Sequence, residues 1–230
     1  VEEERAPMGM NAVYSGPEDC PAVIPLFPLA GALLLPRGQM PLNIFEPRYL
    51  AMIDDALRTH RVIGMIQPEP ENGRQSQVPA LLQVGCIGRI TQFAETGDDR
   101  YVITLTGVAR FRLEEELSVT TPYRQARIAY DGFTVDFQAR AGEDEVDRAA
   151  LLKALRSFAK ANELKIDWKG VNEAPNEALV NALSMMCPFG PREKQALLEA
   201  PSLKSRAEVL VAITEIELAR GGSDPETTLQ

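Results

Sequence analysis

Hydrophobic positions recur in two rhythms along this chain, and the rhythm changes near residue 131. The first apolar runs are short and cut by prolines: Ile24, Leu26, Phe27 and Leu29, then Leu33, Leu34 and Leu35, then Leu42, Ile44 and Phe45. Pro25, Pro28, Pro36 and Pro41 each remove a backbone donor, which predicts short edge strands joined by tight corners rather than central strands. At Glu46 and Pro47 the period switches. Proline suits the first helical position and a carboxylate suits the positive end of a helix. Leu50, Ile53 and Leu57, widened by Tyr49, Met52 and Ala56, then form an apolar stripe, with Asp54, Asp55, Arg58 and Thr59 opposite. The corner from Asn43 to Tyr49 is therefore expected to join a β layer to its covering helix. Asn43 is expected to hold the turn, Phe45 to point inward as its anchor, and Glu46 and Pro47 to start the helix.

Residues 61–67 are rich in branched side chains and read as a strand. The stretch 68–79 carries Pro68, Pro70, Gly73 and Pro79 among polar residues and reads as a long surface loop. From 80 to 130 the pattern is β throughout. Gly85 and Gly88 interrupt one strand, where they predict bulges or barrel corners. Residues 95–99 read as a hairpin loop. Tyr101, Ile103 and Leu105 alternate with Val102, Thr104 and Thr106, and Gly107 allows a bend. About six short strands and one helix fit a small closed or half-closed barrel, since closure removes exposed edges.

Beyond an acidic, glycine-bearing linker at 141–145 the period is helical. Helices are expected over 146–161, 175–186, 192–199 and 203–220, with a connector at 166–168, giving a four-helix bundle with one short member. The last of them is apolar nearly all round at 209–213 and is expected to be buried on several sides. The organisation read from the sequence is α+β: a tail over 1–20, a β-rich domain over 21–140, a helical domain over 141–222 and a tail over 223–230.

Composition narrows the classes of function. A net charge of −9, with no cluster of Lys and Arg in the sequence, argues against a phosphate-binding surface. Cys20, Cys86 and Cys187 are odd in number and widely spaced, which suits free thiols in a reducing cytoplasm. No apolar run approaches the length of a membrane span, so no membrane partner is expected.

Three groups of residues carry a family resemblance. PLFPL at 25–29, LLLP at 33–36 and PLNIFEPRYL at 41–50 come first, GCIGRI at 85–90 and TGVARF at 106–111 follow, and EKQALLE at 193–199 precedes Arg206. This order resembles the Lon N-terminal domain family over about residues 21–219. The 44–50 motif is the specific part. The resemblance implies a β-rich pseudo-barrel like the pseudouridine-synthase-associated (PUA) fold, followed by the helical bundle. It also implies a substrate-recognition role, in a stand-alone member without the family's motor and protease domains.

Catalytic constellations are not found in these 230 residues. The phosphate loop of a nucleotide motor needs Gly-x-x-x-x-Gly-Lys-Ser/Thr, and no such string occurs. His60, the single histidine, sits at a helix end, where a structural role or simple exposure is the expected one. One histidine and three scattered cysteines leave no zinc site of ordinary spacing, and no metal or other cofactor is expected. Adjacent acids such as Asp54 and Asp55 read as solvated charge.

The reading is thus of a non-catalytic module, an adaptor in protein quality control, that holds unfolded or flexible protein segments and works with a protease or chaperone. Pro36, Met40, Arg48 and Met52 are the candidate peptide-binding residues, because proline and methionine in a half-exposed groove suit varied apolar segments. Phe27, Phe45, Tyr49 and Met52, as large apolar side chains, suit the core better than a binding surface. Arg48 suits either a partner carboxylate or a tie to a neighbouring element. An extended segment would add a strand to an open edge. The alternative is an RNA-binding module, which the PUA-like resemblance suggests and the acidic composition opposes.

Overall fold

The computed structural model describes residues 12–70 and 79–221. The chain divides into two compact units, Val1–Ala139 and Arg140–Gln230.

The first unit is built on one sheet. Its strands are β1 (Val23–Pro28), β2 (Gln39–Ile44), β3 (Val62–Pro68), β4 (Leu81–Glu95), β5 (Tyr101–Glu116) and β6 (Gln125–Ala129). Their order is β2-β5-β4-β3-β1-β6, and a further pairing of β5 with β6 closes five of them into a ring. β2 stands outside that ring and pairs with β5 alone among the described residues. β4 and β5 are long strands rather than the short ones expected. They serve both parts of the sheet by bending at register shifts, one of them between Ile87 and Gly88.

β1 corrects the edge-strand expectation, for it lies between two partners. Its first half pairs antiparallel with β6, through Val23 to Pro25, and its second half parallel with β3, through Leu26 to Pro28. Successive N–H groups of a strand point to opposite sides. The Leu26 N–H goes to Arg124 O and the Leu29 N–H to Ile66 O. By that alternation the missing N–H of Pro25 faces β3 before their pairing starts, and that of Pro28 faces β6 after theirs has ended. The two prolines cost the ladder little because the strand changes partner between them.

The interior of the ring is apolar: Ile24, Leu26, Val62, Ile87, Ala109, Phe111 and Ala126 form its core. Gly107 sits where β5 leaves β2 for β6. A Cβ there would lie 2.1 Å from the carbonyl oxygen of Leu35, so only glycine admits this approach. The Leu35–Gly38 turn uses the space, with Arg37 N–H on Gly107 O (2.7 Å) and Gly107 N–H on Gly38 O (2.8 Å). Next to it, Arg110 and Asp136 form a buried pair. Arg110 Nε and Nη2 donate to the two carboxylate oxygens at 2.8 Å each, and the Arg110 backbone N–H adds a third bond at 2.9 Å. The Phe133 ring lies 4.7 Å beneath the guanidinium.

Helix α1 (Pro47–Arg58) packs on β1 and β3. Tyr101 O–H donates to Asp54 (3.0 Å) and Tyr123 O–H to Asp55 (2.7 Å), so the two acids fasten the helix instead of being merely solvated. The expected tail fails for residues 12–20. Pro17–Asp19 form a short 3-10 helix, and the Tyr14 hydroxyl accepts from Arg89 at 3.0 Å. Residues 71–78 of the expected loop, 1–11 of the first tail and the second tail all lie outside the described residues.

The second unit is helical: α2 (Arg148–Ala161), α3 (Trp168–Glu173), α4 (Asn176–Met186), α5 (Pro191–Glu199) and α6 (Leu203–Gly221). Among the described residues five α-helices replace the four expected. The additional helix, α3, follows the expected connector at 166–168, and Asp167 caps it by accepting from the backbone N–H groups of Lys169 and Gly170. The expected linker at 141–145 is part of this unit, with Glu143–Glu145 a 3-10 helix whose Glu143 carbonyl accepts from Asn176. α6 packs against α2, α4 and α5. It buries Leu203, Ala207 and Leu210 but leaves Ile216 exposed, so it is covered on fewer sides than its sequence suggests.

Candidate functional site

The open edge of β2 and the corner behind it are built from one alternation. Met40, Leu42 and Ile44 lie opposite Leu105, Ile103 and Tyr101 of β5, on the face that leads into the core. Asn43 lies opposite Val102 and is exposed. Asn43 is thus a strand residue rather than the holder of a turn. Ile44 takes the inward position at the end of the strand, and the next residue must point the other way. Phe45 therefore faces solvent, 60% exposed, which corrects the expectation of an inward anchor.

The helix start follows the sequence reading in its backbone. Pro47 is the first helical residue, and the Glu46 carbonyl accepts from Tyr49 (2.9 Å) and Leu50 (3.0 Å). The Glu46 carboxylate does not cap the helix; it takes Arg48 Nε at 2.8 Å on the surface. The Arg48 guanidinium lies 4.5 Å over the Tyr49 ring, and Tyr49 meets Phe27 edge-on at 4.4 Å. Burial, chiefly, pushes the Tyr49 phenol above its ordinary pKa. This chain of contacts links an exposed cation to the core through one aromatic ring.

Of the four candidate binding residues, Met52 is fully buried, and Pro36 is buried as well. Neither can touch a partner from its place in the core. Met40 is half-buried on β2 and Arg48 is exposed at the start of α1. The structure adds residues that sequence reasoning had not singled out. Phe93 (39% exposed) on β4 and Val102 on β5 are large exposed apolar side chains, and Phe93 stacks edge-on against Tyr101 at 4.9 Å. Val102 could have been found from its place on the polar face of β5. Phe93 had no such signal.

Among the described residues no group of three or more His, Cys, Asp or Glu side chains could hold a metal ion, and no helix is long and apolar enough to cross a membrane. Burial raises the thiol pKa of Cys20, to about 12, and that of Cys187, the direction opposite to an activated thiolate.

Comparison with known proteins accounts for this architecture. Lon protease of Anaeromyxobacter dehalogenans (strain 2CP-C) is 28% identical over 220 residues, covering 90% of this chain and 25% of that protein. Lon protease 2 of Myxococcus xanthus is 27% identical over 208 residues, covering 85% and 24%. The chain thus spans about a quarter of the length of these relatives. The crystal structure of a Lon N-terminal domain protein from Xanthomonas campestris superposes with a TM-score of 0.58 at 24% identity, covering 83% of this chain and 97% of that one. The N-terminal domain of the Mycobacterium avium complex Lon protease gives 0.57 at 18% identity, covering 84% and 98%. These two likenesses concern the fold. The family model for the ATP-dependent protease La (LON) substrate-binding domain matches residues 23–215, and the chain belongs to that family.

Proposed function

We propose that this chain binds extended, flexible segments of other polypeptides by adding them as a strand along the outer edge of β2, without chemistry of its own. The observation that carries the reading is the position of β2, which among the described residues has one strand partner, β5, on one side and none along its other edge. An extended segment satisfies such an edge through backbone hydrogen bonds, which do not depend on its sequence. Phe45, Phe93, Val102 and half-buried Met40 supply apolar contacts near that edge, and methionine adapts to varied side chains. Pro41 interrupts the row of donors, so the edge does not template indefinite pairing. The family's description as a substrate-binding domain supports the same reading. Handing the held segment to a protease or chaperone is its adaptor form.

Phe45→Ala tests this proposal. Exposed as it is, Phe45 should contribute within about 0.5 kcal/mol of stability. Its loss should weaken binding of an unfolded, fluorescently labelled polypeptide by about 2 kcal/mol or more if it is an aromatic anchor. Anisotropy titration together with thermal melting separates the two effects. Unchanged binding with an unchanged melt would remove Phe45 from the site. Unchanged binding in an Asn43→Pro variant, which removes an outward-facing N–H of β2, would remove the β2 edge as well.

A further inference from the structure

Beside the starting end of β2 the β unit holds a groove of about 380 Å³, lined by Tyr14, Arg37, Arg89, Thr91, Thr106 and Gly107. Its walls are fixed by the corner at Gly107. Arg37 is held just before β2 at a φ of 63°, with its backbone N–H on Gly107 O and its Nη1 on Asp136 O at 2.6 Å. Arg89 is buried, and its Nη1 donates to Tyr14 Oη (3.0 Å) and His60 O (3.4 Å). The Thr91 and Thr106 hydroxyls lie 3.0 Å apart. Among the described residues Asp136 is the one carboxylate lining the groove, and Arg110 engages both of its oxygens. In a chain of net charge −9, two guanidinium groups and three hydroxyls meet in this concavity, and Ala12, Val108, Phe137 and Ala139 complete its wall as an apolar part.

Each guanidinium carries five donors in a planar fork whose spacing matches the two oxygens of a carboxylate. The Tyr14 and Thr106 hydroxyls add donors that rotate to suit, while that of Thr91 donates to Thr104 O at 3.1 Å. The volume falls in the range of small-ligand sites and is open enough to receive a chain end. Its place matters as well. Gln39, the first residue of β2, pairs with Thr106. A segment added antiparallel to β2 runs its C-terminal end toward Gln39, and so toward the groove. We infer that the groove binds an oxyanion, and that its ligand is the free carboxylate at the C-terminus of a segment lying along β2. This rests on the strand-addition reading for the segment, but not for the carboxylate itself.

N-acetylglycine, the smallest mimic of a chain end, tests the groove alone. Its titration into the full chain should move the backbone amide resonances of Thr91, Thr106 and Gly107 in a saturable way. N-acetylglycinamide should not, and Arg37→Gln should abolish the effect. Equal shifts from acid and amide, or none from either, overturn the inference whatever happens at β2. Inorganic phosphate is titrated in parallel; shifts from phosphate but not from N-acetylglycine overturn the assignment to a chain end. With a labelled unfolded peptide, the free acid should bind roughly 10- to 100-fold more tightly than its C-terminal amide, the worth of a hydrogen bond to a charged group. Arg37→Gln should erase that difference. Acid and amide peptides that bind equally well overturn the inference while β2 binding stands. Failure of both peptides with N-acetylglycine still binding removes the β2 reading and leaves the carboxylate site in place.

Discussion

The two halves of β5 sit in opposite circumstances. From Tyr101 to Thr106 the strand has β4 on one side and the outlying β2 on the other. From Arg112 to Glu116 its partner is β6, inside the closed ring. Between them lies Gly107, where the Leu35–Gly38 turn presses in, and the closing half opens on Arg110, locked to Asp136. The closing half carries the buried ion pair. The open half carries Val102, with Phe93 and Phe45 nearby on its neighbours. Rigidity and accessibility are thus divided along one strand. A fixed scaffold at one end lets the other offer an unfilled edge without the sheet coming apart.

The largest expected effect lies at the closing half. Asp136→Ala would leave Arg110 buried, 2% exposed at its side chain, without its carboxylate. Breaking a buried pair in this way costs about 3–5 kcal/mol. Urea unfolding should show a lower midpoint at unchanged slope. Replacing both partners, Arg110→Met with Asp136→Leu, should recover much of the loss, since no buried charge remains. An Asp136→Ala protein as stable as the wild type would break the contrast between the halves.

Tyr123, just before β6, provides the next step. Its hydroxyl donates to Asp55 at 2.7 Å, so Tyr123→Phe should cost about 1.5–3 kcal/mol, the range for bonds to charged groups. Burial, and then the bond to Asp55, push its pKa up to about 12 from the ordinary 10. Because the folded-state value is raised, the neutral phenol favours the folded state. The contribution is complete below about pH 10 and is lost as the pH rises toward 12. Stability measured across that window should fall more steeply in the wild type than in Tyr123→Phe. Tyr101, raised chiefly by its bond to Asp54, acts in the same direction and keeps the variant from becoming flat.

Much of this arrangement was legible in the residues. Proline-cut apolar runs, alternation from 101 to 106 and the switch at Pro47 located β2, β5 and α1, because each is a local signal. What braces β5 past its bend is not local. Arg110 and Asp136 are 26 residues apart, and neither announces the other. The error at Phe45 was one of phase. A large aromatic was assigned to the core by type, whereas Ile44 already held the inward position and alternation sent Phe45 outward. Met52 enters the sequence reading twice, on the apolar stripe of α1 and among the binding candidates, and its place on the stripe is what puts it inside. α3 is short and contains Gly170, so its periodicity was too weak to see, although Asp167 at its cap was a usable sign.

Arg48, at the open end, should show the smallest effect and the most informative one. It makes two exposed interactions, an ion pair with Glu46 and a face contact with Tyr49. Exposed ion pairs contribute about 0.2–1 kcal/mol and exposed cation–π contacts about 0.5–1 kcal/mol. The two share one side chain, so Arg48→Ala should destabilise by about 1 kcal/mol or less. Salt separates the parts: in 1 M NaCl the Debye length is about 3 Å, so the Glu46 share should shrink while the Tyr49 share persists. Arg48→Lys keeps the charge but loses the planar stacking surface, and should behave like Arg48→Ala at high salt. Binding of the unfolded peptide then decides what Arg48 is for. If both variants bind as the wild type does, Arg48 only covers Tyr49 and the open end recognises segments through β2 and Phe45. If Arg48→Ala weakens binding several-fold while costing so little stability, the guanidinium belongs to the recognition surface, and the site extends from the strand edge onto the first turn of α1.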